Sequence, residues 1–160
     1  MKRFTHIDED GGGSRMVDVT GKGATVREAV ARGVLLMKPD TVRVIEEGAV
    51  LKGDVFGVAK IAGIMGAKRT SDLIPMCHPL ELTGIEITFE SDSAKGQITI
   101  DAAVKTVGRT GVEMEAMTAV TVAALAVYDM CKSADREIVI ADVRLMKKSG
   151  GKSGTFMRDE

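Results

Sequence analysis

Aromatic side chains are scarce in this sequence, and their scarcity argues against one large class of functions. The chain of 160 residues has no Trp, one Tyr and four Phe, so aromatic residues make up only 3% of it. Proteins that bind single-stranded nucleic acid stack bases on aromatic rings. The net charge of −1 also provides no general attraction to a phosphate backbone. RNA binding is therefore a weak hypothesis, and we expect no nucleic-acid partner.

Cysteines and long apolar runs are also few. The two cysteines, Cys77 and Cys131, have no spacing typical of a disulfide framework, which fits a reducing cytoplasm. The N-terminus lacks the apolar segment of a signal peptide, and the apolar run at 116–127 is interrupted by threonines and too short to span a bilayer. We expect a cytoplasmic protein with no membrane partner.

The overall composition is that of a globular protein. Hydrophobic residues make up 44% of the chain and charged residues 28%, and the length suits one domain with a sizeable core. We expect a single domain over 1–160, in which the polar segment 1–14 and the Gly- and Lys-rich tail 147–160 are flexible.

Helix signals dominate the first half of the chain. Thr25-Val26-Arg27-Glu28 has the pattern of a capping box and predicts a helix over 25–37. Asp54 is a suitable N-cap for another helix, which ends near Lys68. Three shorter elements are predicted between and around these: a strand at 16–19, a short helix through Val42 and Ile45 ending at Gly48, and a rigid extended link at 74–79 that contains two prolines.

The second half predicts a hairpin, a long helix and a strand. Alternating apolar residues at 85–89 and 98–104, with a turn at 91–96 between them, predict two antiparallel strands. About twenty residues without Gly or Pro predict a buried helix within 110–132, followed by a strand at 137–146 and a loop at 147–154. The order β, α, β, β, α, β is that of a ferredoxin-like α+β fold. In this fold an antiparallel sheet carries the helices on one face, here with extra helices inserted after the first.

A polar stripe on the long helix is the first candidate site. Glu115, Thr118, Asp129 and Lys132 fall on one face of an otherwise apolar helix. Glu113 and Glu115 lie in the first turns, where the helix dipole favours carboxylates, whereas Asp129 lies near the C-terminus, where the dipole disfavours them. Asp129 and Lys132 are therefore either a solvated ion pair or an acid and a base held together for chemistry.

The two ends of this stripe are far apart. Glu115 and Asp129 are separated by fourteen residues, which corresponds to roughly 21 Å along a helix. A small ligand cannot contact both ends of one helix. Either the ligand is long, or two copies of the helix contribute opposite ends to one pocket, and the second option predicts a symmetric oligomer.

The tail resembles a phosphate-binding loop only superficially. Gly150-Gly151-Lys152-Ser153 lacks the required earlier glycine, since Met146 occupies that position. Its glycine amides and its lysines could form a flexible anion clamp, or they could form a solubilising basic tail. Composition does not distinguish these two interpretations.

Other cationic and metal-ligating residues are scattered. Lys52 precedes a predicted helix N-terminus, where phosphate binding is favourable, and Lys68-Arg69 end the same helix, where they could also cap its carbonyls. A polyanionic small ligand is predicted if these groups converge with Lys132 and the tail. Cys77 and His78 are adjacent in an extended link and point to opposite faces, so we expect no metal site there.

Eight segments, taken together, resemble one known family. They are MVDV at 16–19, KGDV at 52–55, IAGI at 61–64, AKRT at 67–70, PMCHPL at 75–80, GVEMEA at 111–116, YDMCK at 128–132 and KSGGKSG at 148–154. In this order they are similar to the MoaC family of cyclic pyranopterin monophosphate synthases, and the similarity extends from about residue 4 to residue 154. Departures are slight, with Met76 and Met117 standing where leucine is usual.

The resemblance implies a reaction and an assembly. The implied substrate is (8S)-3′,8-cyclo-7,8-dihydroguanosine 5′-triphosphate, made by a radical-SAM GTP cyclase, and the products are cyclic pyranopterin monophosphate and pyrophosphate. This is an early step of molybdenum cofactor biosynthesis. The implied assembly is a homohexamer, a trimer of dimers with sites between subunits. No required cofactor is expected, and whether Mg²⁺ accompanies the triphosphate is left open.

The resemblance also implies roles for residues. Asp129, Lys52 and Lys132 match catalytic positions, and we expect the lysines to have depressed pKa values suited to proton transfer. Substrate-contacting positions are matched by Met76, Cys77, His78, Met114 and Glu115, with Glu113 and Asp18 as weaker candidates. Triphosphate-binding positions are matched by Lys68, Arg69, Lys148 and Lys152. The alternative hypothesis is a non-catalytic ferredoxin-like module that binds nucleotides or acts as a scaffold.

Overall fold

The computed structural model describes residues 15–159. Four helices and five strands follow one another along the chain. They are β1 (Thr25–Leu36), α1 (Pro39–Glu46), α2 (Val55–Lys68), α3 (Thr70–Leu73), β2 (Leu82–Asp92), β3 (Gln97–Gly108), α4 (Glu113–Cys131), β4 (Val139–Ser149) and β5 (Phe156–Met157). The prediction of residues 1–14 as flexible concerns a segment outside the described residues.

All five strands form one antiparallel sheet in the order β2-β3-β1-β4-β5. β1 is therefore central, since it pairs along its whole length with β3 and, from Glu28 onward and with two irregularities, with β4. The first four strands have the arrangement of a ferredoxin-like fold, and β5 is added at the edge beside β4. The predicted fold class is confirmed.

The core lies between one face of the sheet and two long helices. α4 packs against β1, β3 and β4, while α2 packs beside α4 and over β2. Small side chains allow these close approaches, as at Gly33 of β1, where even a Cβ atom would collide with Val120 of α4. The side chains that close this layer are fully buried: Ala29, Ala31, Leu35, Ile87, Ile98, Ile100, Ala102, Val104, Ala119 and Ala123.

The helix predicted over 25–37 is wrong, because these residues form the central strand β1. Buried positions alternate strictly along it, and Ala29, Ala31, Gly33 and Leu35 face the helices. The intervening residues are also largely apolar, so the sequence shows no clear twofold alternation. A capping box is a local signal, and here pairing with strands on both sides overrides it.

Other boundaries also differ from the sequence prediction. Residues 16–19 form no strand, and the link at 74–79 begins with a turn, in which the Cys77 amide donates to the Ile74 carbonyl at 3.0 Å. The predicted loop from Lys147 is wrong in part, since β4 continues through Ser149 and β5 pairs with it. Residues 147–149 are all polar and show no alternation, although they pair with β1 and two of them also pair with β5, so the pattern missed this extension.

The remaining elements agree with the sequence prediction. The helices now called α1, α2 and α4 and the β2–β3 hairpin occur where their caps, breakers and alternation placed them. Asp54 caps α2 as expected, since its carboxylate accepts a hydrogen bond from the Gly57 amide at 2.9 Å. By length and composition alone α4 could cross a membrane, as many core helices could, and more than half of its apolar window is buried inside the fold.

Gly63 of α2 provides a test of the packing between α2 and α4. A Cβ atom at this position would lie 2.6 Å from Ile87 Cδ1 and 2.8 Å from the Ala119 carbonyl oxygen. We expect Gly63→Ala to lower the free energy of unfolding by about 1–3 kcal/mol through overpacking, although Ala alone would favour the helix by about 1 kcal/mol. Denaturant unfolding measures the difference.

Gly84→Ala is the matched control for this change. Its nearest neighbour, Lys105 Cβ, would be at an ordinary 3.8 Å, so the control should unfold close to wild type. A Gly63→Ala protein more stable than wild type would contradict the close approach of the two helices.

Candidate functional site

One carboxylate and two ammonium groups form a compact cluster at the C-terminal end of α4. Lys132 Nζ lies 2.7 Å from Asp129 Oδ1, and Lys52 Nζ lies 3.1 Å from Asp129 Oδ2. Lys52 Nζ also donates to the backbone carbonyl of Asp129 at 2.7 Å. The structure therefore brings together all three residues predicted to be catalytic.

Local structure explains how the cluster is assembled. Asp129 and Lys132 are one turn apart at the end of α4, with Lys132 as the C-cap residue. Lys52 comes from the loop between α1 and α2, where Gly53 has a positive φ of 99°. This left-handed conformation favours glycine. It turns the chain directly after Lys52, before Asp54 caps the helix that follows.

The electrostatics of the cluster differ from the sequence prediction. The hydrogen bonds from Lys132 and Lys52 and the charges of both lysines hold the pKa of Asp129 below its usual value. The hydrogen bond to Asp129 raises the pKa of Lys132, so the prediction of a depressed pKa is wrong for this lysine. The reason is that Lys132 is exposed and paired with a carboxylate rather than buried among cations. The pair is thus ionised at neutral pH.

A cavity of about 370 Å³ opens beside Lys52. One wall consists of α1 and the loop after it, and the other of the last turn of α4 and the residues that follow. Most of its lining is apolar, so it suits a ring system rather than a phosphate chain. The lining residues are Lys38, Asp40, Thr41, Val44, Ala49, Val50, Leu51, Lys52, Met130, Cys131, Ser133 and Ala134.

A larger cavity of about 730 Å³ lies near the opposite end of α4. It contains three of the predicted binding residues, Glu113, Lys148 and Lys152. The loop after β4 closes one side, and Gly150 and Gly151 there have positive φ angles. The other lining residues are Gly21, Lys22, Gly23, Thr25, Arg27, Glu28, Arg109, Thr110, Gly111, Ser149 and Ser153.

Two arginines in this larger cavity were missed by sequence reasoning. Arg27 lies on β1, beneath the glycine loop, and its Nη2 donates to the Arg109 carbonyl at 3.4 Å. Its Nε is buried and has no hydrogen-bond partner within the described chain. The capping-box interpretation places Arg27 at the start of a helix, and Gly33 in the middle of that predicted helix is the signal against it.

The charge of the larger cavity is predominantly positive. Glu28 is neutralised by Lys147 at 3.2 Å and Lys105 at 3.5 Å. The hydrogen bond from Lys147 is the main cause that holds the pKa of Glu28 below its usual value. The remaining cations, among them Arg27 and Lys152, then exceed the carboxylates, and the cavity suits a polyanion.

A third group of predicted residues surrounds the start of α4. Glu115 is buried, and this burial raises its pKa. Burial and the nearby charge of Glu115 raise the pKa of the Cys77 thiol. His78 Nε2 lies 2.8 Å from the Val17 carbonyl oxygen, so it is tied to the segment before β1. The hydrogen bonds with Thr20 are the main cause that lowers the pKa of Asp18.

Within one chain the predicted residues do not form a single site. Lys68 and Arg69 lie exposed at the end of α2, and Arg69 lines a separate cavity of about 460 Å³ together with Met65, Leu73 and Val122. Met76 is half-buried in the turn after α3, and Met114 is exposed in the first turn of α4. The cluster around Asp129 and the larger cavity lie at opposite ends of α4.

The burial of Glu115 predicts a pH dependence of stability. Because its pKa is higher in the folded than in the unfolded chain, the folded chain binds more protons between the two values. The free energy of unfolding should therefore fall as pH rises from the ordinary pKa of 4.5 through the raised one. Glu115→Gln should remove this contribution and flatten the curve, as measured by denaturant unfolding across pH.

Glu90→Gln, at an exposed strand position, is the control and should keep the wild-type slope. A Glu115→Gln protein with that same slope would show that Glu115 ionises in the folded protein as it does in the unfolded chain.

This chain is similar to proteins of one known family. Residues 16–151 match the model of the MoaC family. A cyclic pyranopterin monophosphate synthase of Heliobacterium modesticaldum is 58% identical over 160 residues, covering all of both chains. Those of Pelotomaculum thermopropionicum and Thermoanaerobacter sp. are 61% identical over 99% of this chain and 92% of theirs, and 59% identical over 98% of both chains. This chain therefore belongs to the MoaC family.

Proposed function

We propose that this protein is a cyclic pyranopterin monophosphate synthase. It converts (8S)-3′,8-cyclo-7,8-dihydroguanosine 5′-triphosphate into cyclic pyranopterin monophosphate and pyrophosphate, an early step of molybdenum cofactor biosynthesis. The observation that carries the proposal is the Lys52–Asp129–Lys132 cluster. In addition, relatives that match this chain over 100% and 92% of their own length are named as this enzyme.

The cluster supplies the proton-transfer groups of the proposed mechanism. The reaction opens a ring, closes a pyran ring and lets a ribose hydroxyl attack the α-phosphate, and each step moves protons. Lys132 is held as an ammonium by Asp129, so it serves as a proton donor or stabilises developing negative charge. Asp129 stays ionised and fixes both lysines, and Lys52 faces the apolar cavity in which a ring can lie.

The larger cavity supplies the anion-binding groups. Arg27, Arg109, Lys148 and Lys152 surround a space within the range of about 300–1,000 Å³ typical of small-molecule sites. In the proposal they hold the triphosphate and stabilise the departing pyrophosphate. Glu115 and His78 contact the pterin side of the substrate, together with Met76, Cys77 and Met114.

We also propose that two subunits complete each site. The cluster at Asp129 and the carboxylates at the start of α4 are separated by roughly 21 Å along one helix, and in this proposal a neighbouring copy brings the other half. The outer faces of α2, α3 and α4 expose apolar side chains, which a second copy would cover: Val58, Ile61, Met65, Leu73 and Leu125. A homohexamer built as a trimer of dimers follows this proposal, and native mass spectrometry measures it.

The proposed setting is the cytoplasm, downstream of a radical-SAM GTP cyclase. Both cysteines are free thiols, as a reducing compartment would leave them. We propose that no resident cofactor is required, because side chains already provide the acid, base and cationic groups. Turnover by EDTA-dialysed enzyme, compared with and without added Mg²⁺, distinguishes a cofactor from a metal that merely accompanies the triphosphate.

A coupled assay tests the function. The cyclase generates the cyclised dihydro-GTP intermediate, which is offered to wild type, to Lys52→Ala and to Lys95→Ala, and pyrophosphate and the oxidised, fluorescent pterin are both followed. Lys95 is exposed in the β2–β3 turn and serves as the control. Product from wild type and Lys95→Ala but not from folded Lys52→Ala supports the synthase. Tight binding by wild type without turnover would leave the binding module as the function.

A further inference from the structure

Asp135 is a buried carboxylate that the proposed reaction does not use. The residue is only 1% exposed, and three groups donate to its side chain. Oδ2 accepts from the Lys38 amide at 2.9 Å and the Thr41 hydroxyl at 3.2 Å, and Oδ1 accepts from the Glu137 amide at 3.1 Å. A fully bonded buried carboxylate holds its surroundings in one arrangement.

These bonds cap α1 from elsewhere in the chain. Lys38 is the N-cap residue of α1, and its own side chain makes no capping bond. The carboxylate of Asp135 takes this place at the positive end of the helix. Burial alone would raise the pKa of Asp135, but the hydrogen bonds from Lys38, Glu137 and Thr41 outweigh it and lower the pKa, so the group is charged.

Asp135 is anchored at the same time to α4. Its amide donates to the Cys131 carbonyl at 3.0 Å, so it is fixed to the helical turn that carries Asp129 and Lys132. On the other side, α1 leads into the loop of Lys52, and the Ala49 amide ties that loop back to the Val44 carbonyl at 3.0 Å. Asp135 thus joins the element that carries one lysine to the element that carries the other.

The cavity beside Lys52 lies between these two elements. Thr41 of α1 lines one wall and Ala134 the other, and Asp135 links the two walls. Within residues 15–159, the other side-chain link between the start of α1 and the turn after α4 is the ion pair of Lys38 with Asp135 and Glu137.

We propose that Asp135 is a positioning residue that sets the separation between Lys52 and the Asp129–Lys132 pair. Asp135 contacts neither Lys52 nor Lys132, and it acts on them through α1 and the end of α4. The claim that Asp135 sets this separation rests on the contacts described above. Only the expected effect on turnover rests on the proposed function. The experiment therefore measures the two separately.

The variants are Asp135→Asn and Thr41→Val, with Asp101→Asn as the control. The amide of Asn cannot accept bonds with both terminal atoms, and Val removes only the hydroxyl bond. Asp101 pairs with Arg32 at 2.8 Å on the opposite face of the sheet, so its loss affects stability without reaching the cluster. Thr41→Val keeps the test valid if Asp135→Asn fails to fold.

Two readouts are followed in the assembled enzyme. Trace acetylation with acetic anhydride, followed by mass spectrometry, measures the acetylation of Lys52 relative to that of exposed Lys60. This ratio should rise about threefold to tenfold in Asp135→Asn, because Lys52 loses its fixed partners. In the coupled assay kcat should fall about tenfold with a smaller change in KM, since the anion cavity at the opposite end of α4 is intact. Thr41→Val should show smaller changes in the same direction.

The outcomes separate the two claims. Unchanged Lys52 acetylation in both variants overturns the proposal, and so does a loss of kcat that Asp101→Asn reproduces at equal loss of stability. A raised acetylation ratio restricted to Asp135→Asn and Thr41→Val supports it. If wild type makes no product, the proposed function fails, while the acetylation ratio still decides whether Asp135 positions Lys52.

Discussion

Asp129→Asn should lower synthase turnover by about 10²–10⁴-fold while the protein remains folded. Asn is nearly isosteric, but it removes the charge that pairs with both Lys52 and Lys132. The two ammonium groups would then repel one another, and one or both would leave the position in which protons are transferred. Measuring kcat for the cyclised dihydro-GTP substrate tests the expectation.

The pH profile should change in a defined direction. In wild type the pKa of Lys132 is raised from 10.5 by its bond to Asp129, while that of Asp129 is lowered from 3.8. The ion pair is therefore complete between these ordinary values; it is lost only when pH falls through the lowered pKa or rises through the raised one. Without the carboxylate, Lys132 loses its proton more easily, so the alkaline limb of the residual activity should move to lower pH.

Asp142→Asn is the matched control. Asp142 also pairs with a cation, Arg144, at 3.2 Å, and its positive φ of 57° is one that Asn tolerates well. The control should retain wild-type turnover. Equal losses of turnover in both variants, or wild-type turnover in Asp129→Asn, would show that Asp129 has no catalytic role.

Gly150→Ala should raise KM for the triphosphate substrate by more than about tenfold. Gly150 has φ of 93°, and a Cβ atom there would collide with the Val26 carbonyl oxygen and lie 3.0 Å from Arg27 Cδ. A backbone carbonyl within the central strand cannot yield, so the glycine loop must move away from β1. Lys152, on the same loop, would then be displaced from the anion cavity.

Gly154→Ala isolates the effect of this collision. Gly154 shares the left-handed conformation, with φ of 67°, but no atom would lie within 4 Å of its Cβ. The control carries only the backbone strain of about 1–2 kcal/mol and should change KM by less than about threefold. Steady-state kinetics with pyrophosphate release measure both variants, and equal KM values would contradict a role for the loop in binding.

Much of the fold follows from local patterns in the sequence. Neighbours along the chain decide three of these features: the Asp54 cap, the alternation in β2 and β3, and the uninterrupted apolar stretch of α4. β1 was missed because its conformation is decided by two partner strands distant in sequence. Ala29 and Ala31 favour a helix in isolation, and only the sheet makes them buried strand residues.

The candidate site was partly predictable for the same reason. Asp129 and Lys132 lie one turn apart, so their proximity follows from the helix alone. The approach of Lys52 and the cavity around Arg27 depend on how distant elements pack. The raised pKa of Lys132 depends on exposure and pairing, which a residue pattern does not encode.

The central place of β1 determines the order in which the chain can fold. Residues 25–36 are synthesised early, yet their partners are residues 97–108 and 139–149. During translation this apolar segment remains without a sheet while the greater part of the protein emerges from the ribosome. Folding dominated by such distant pairings is slow and leaves unpaired strands exposed to aggregation. A chain shortened before β4 would keep one edge of its central strand open, so correct assembly in the cell depends on completion of the polypeptide.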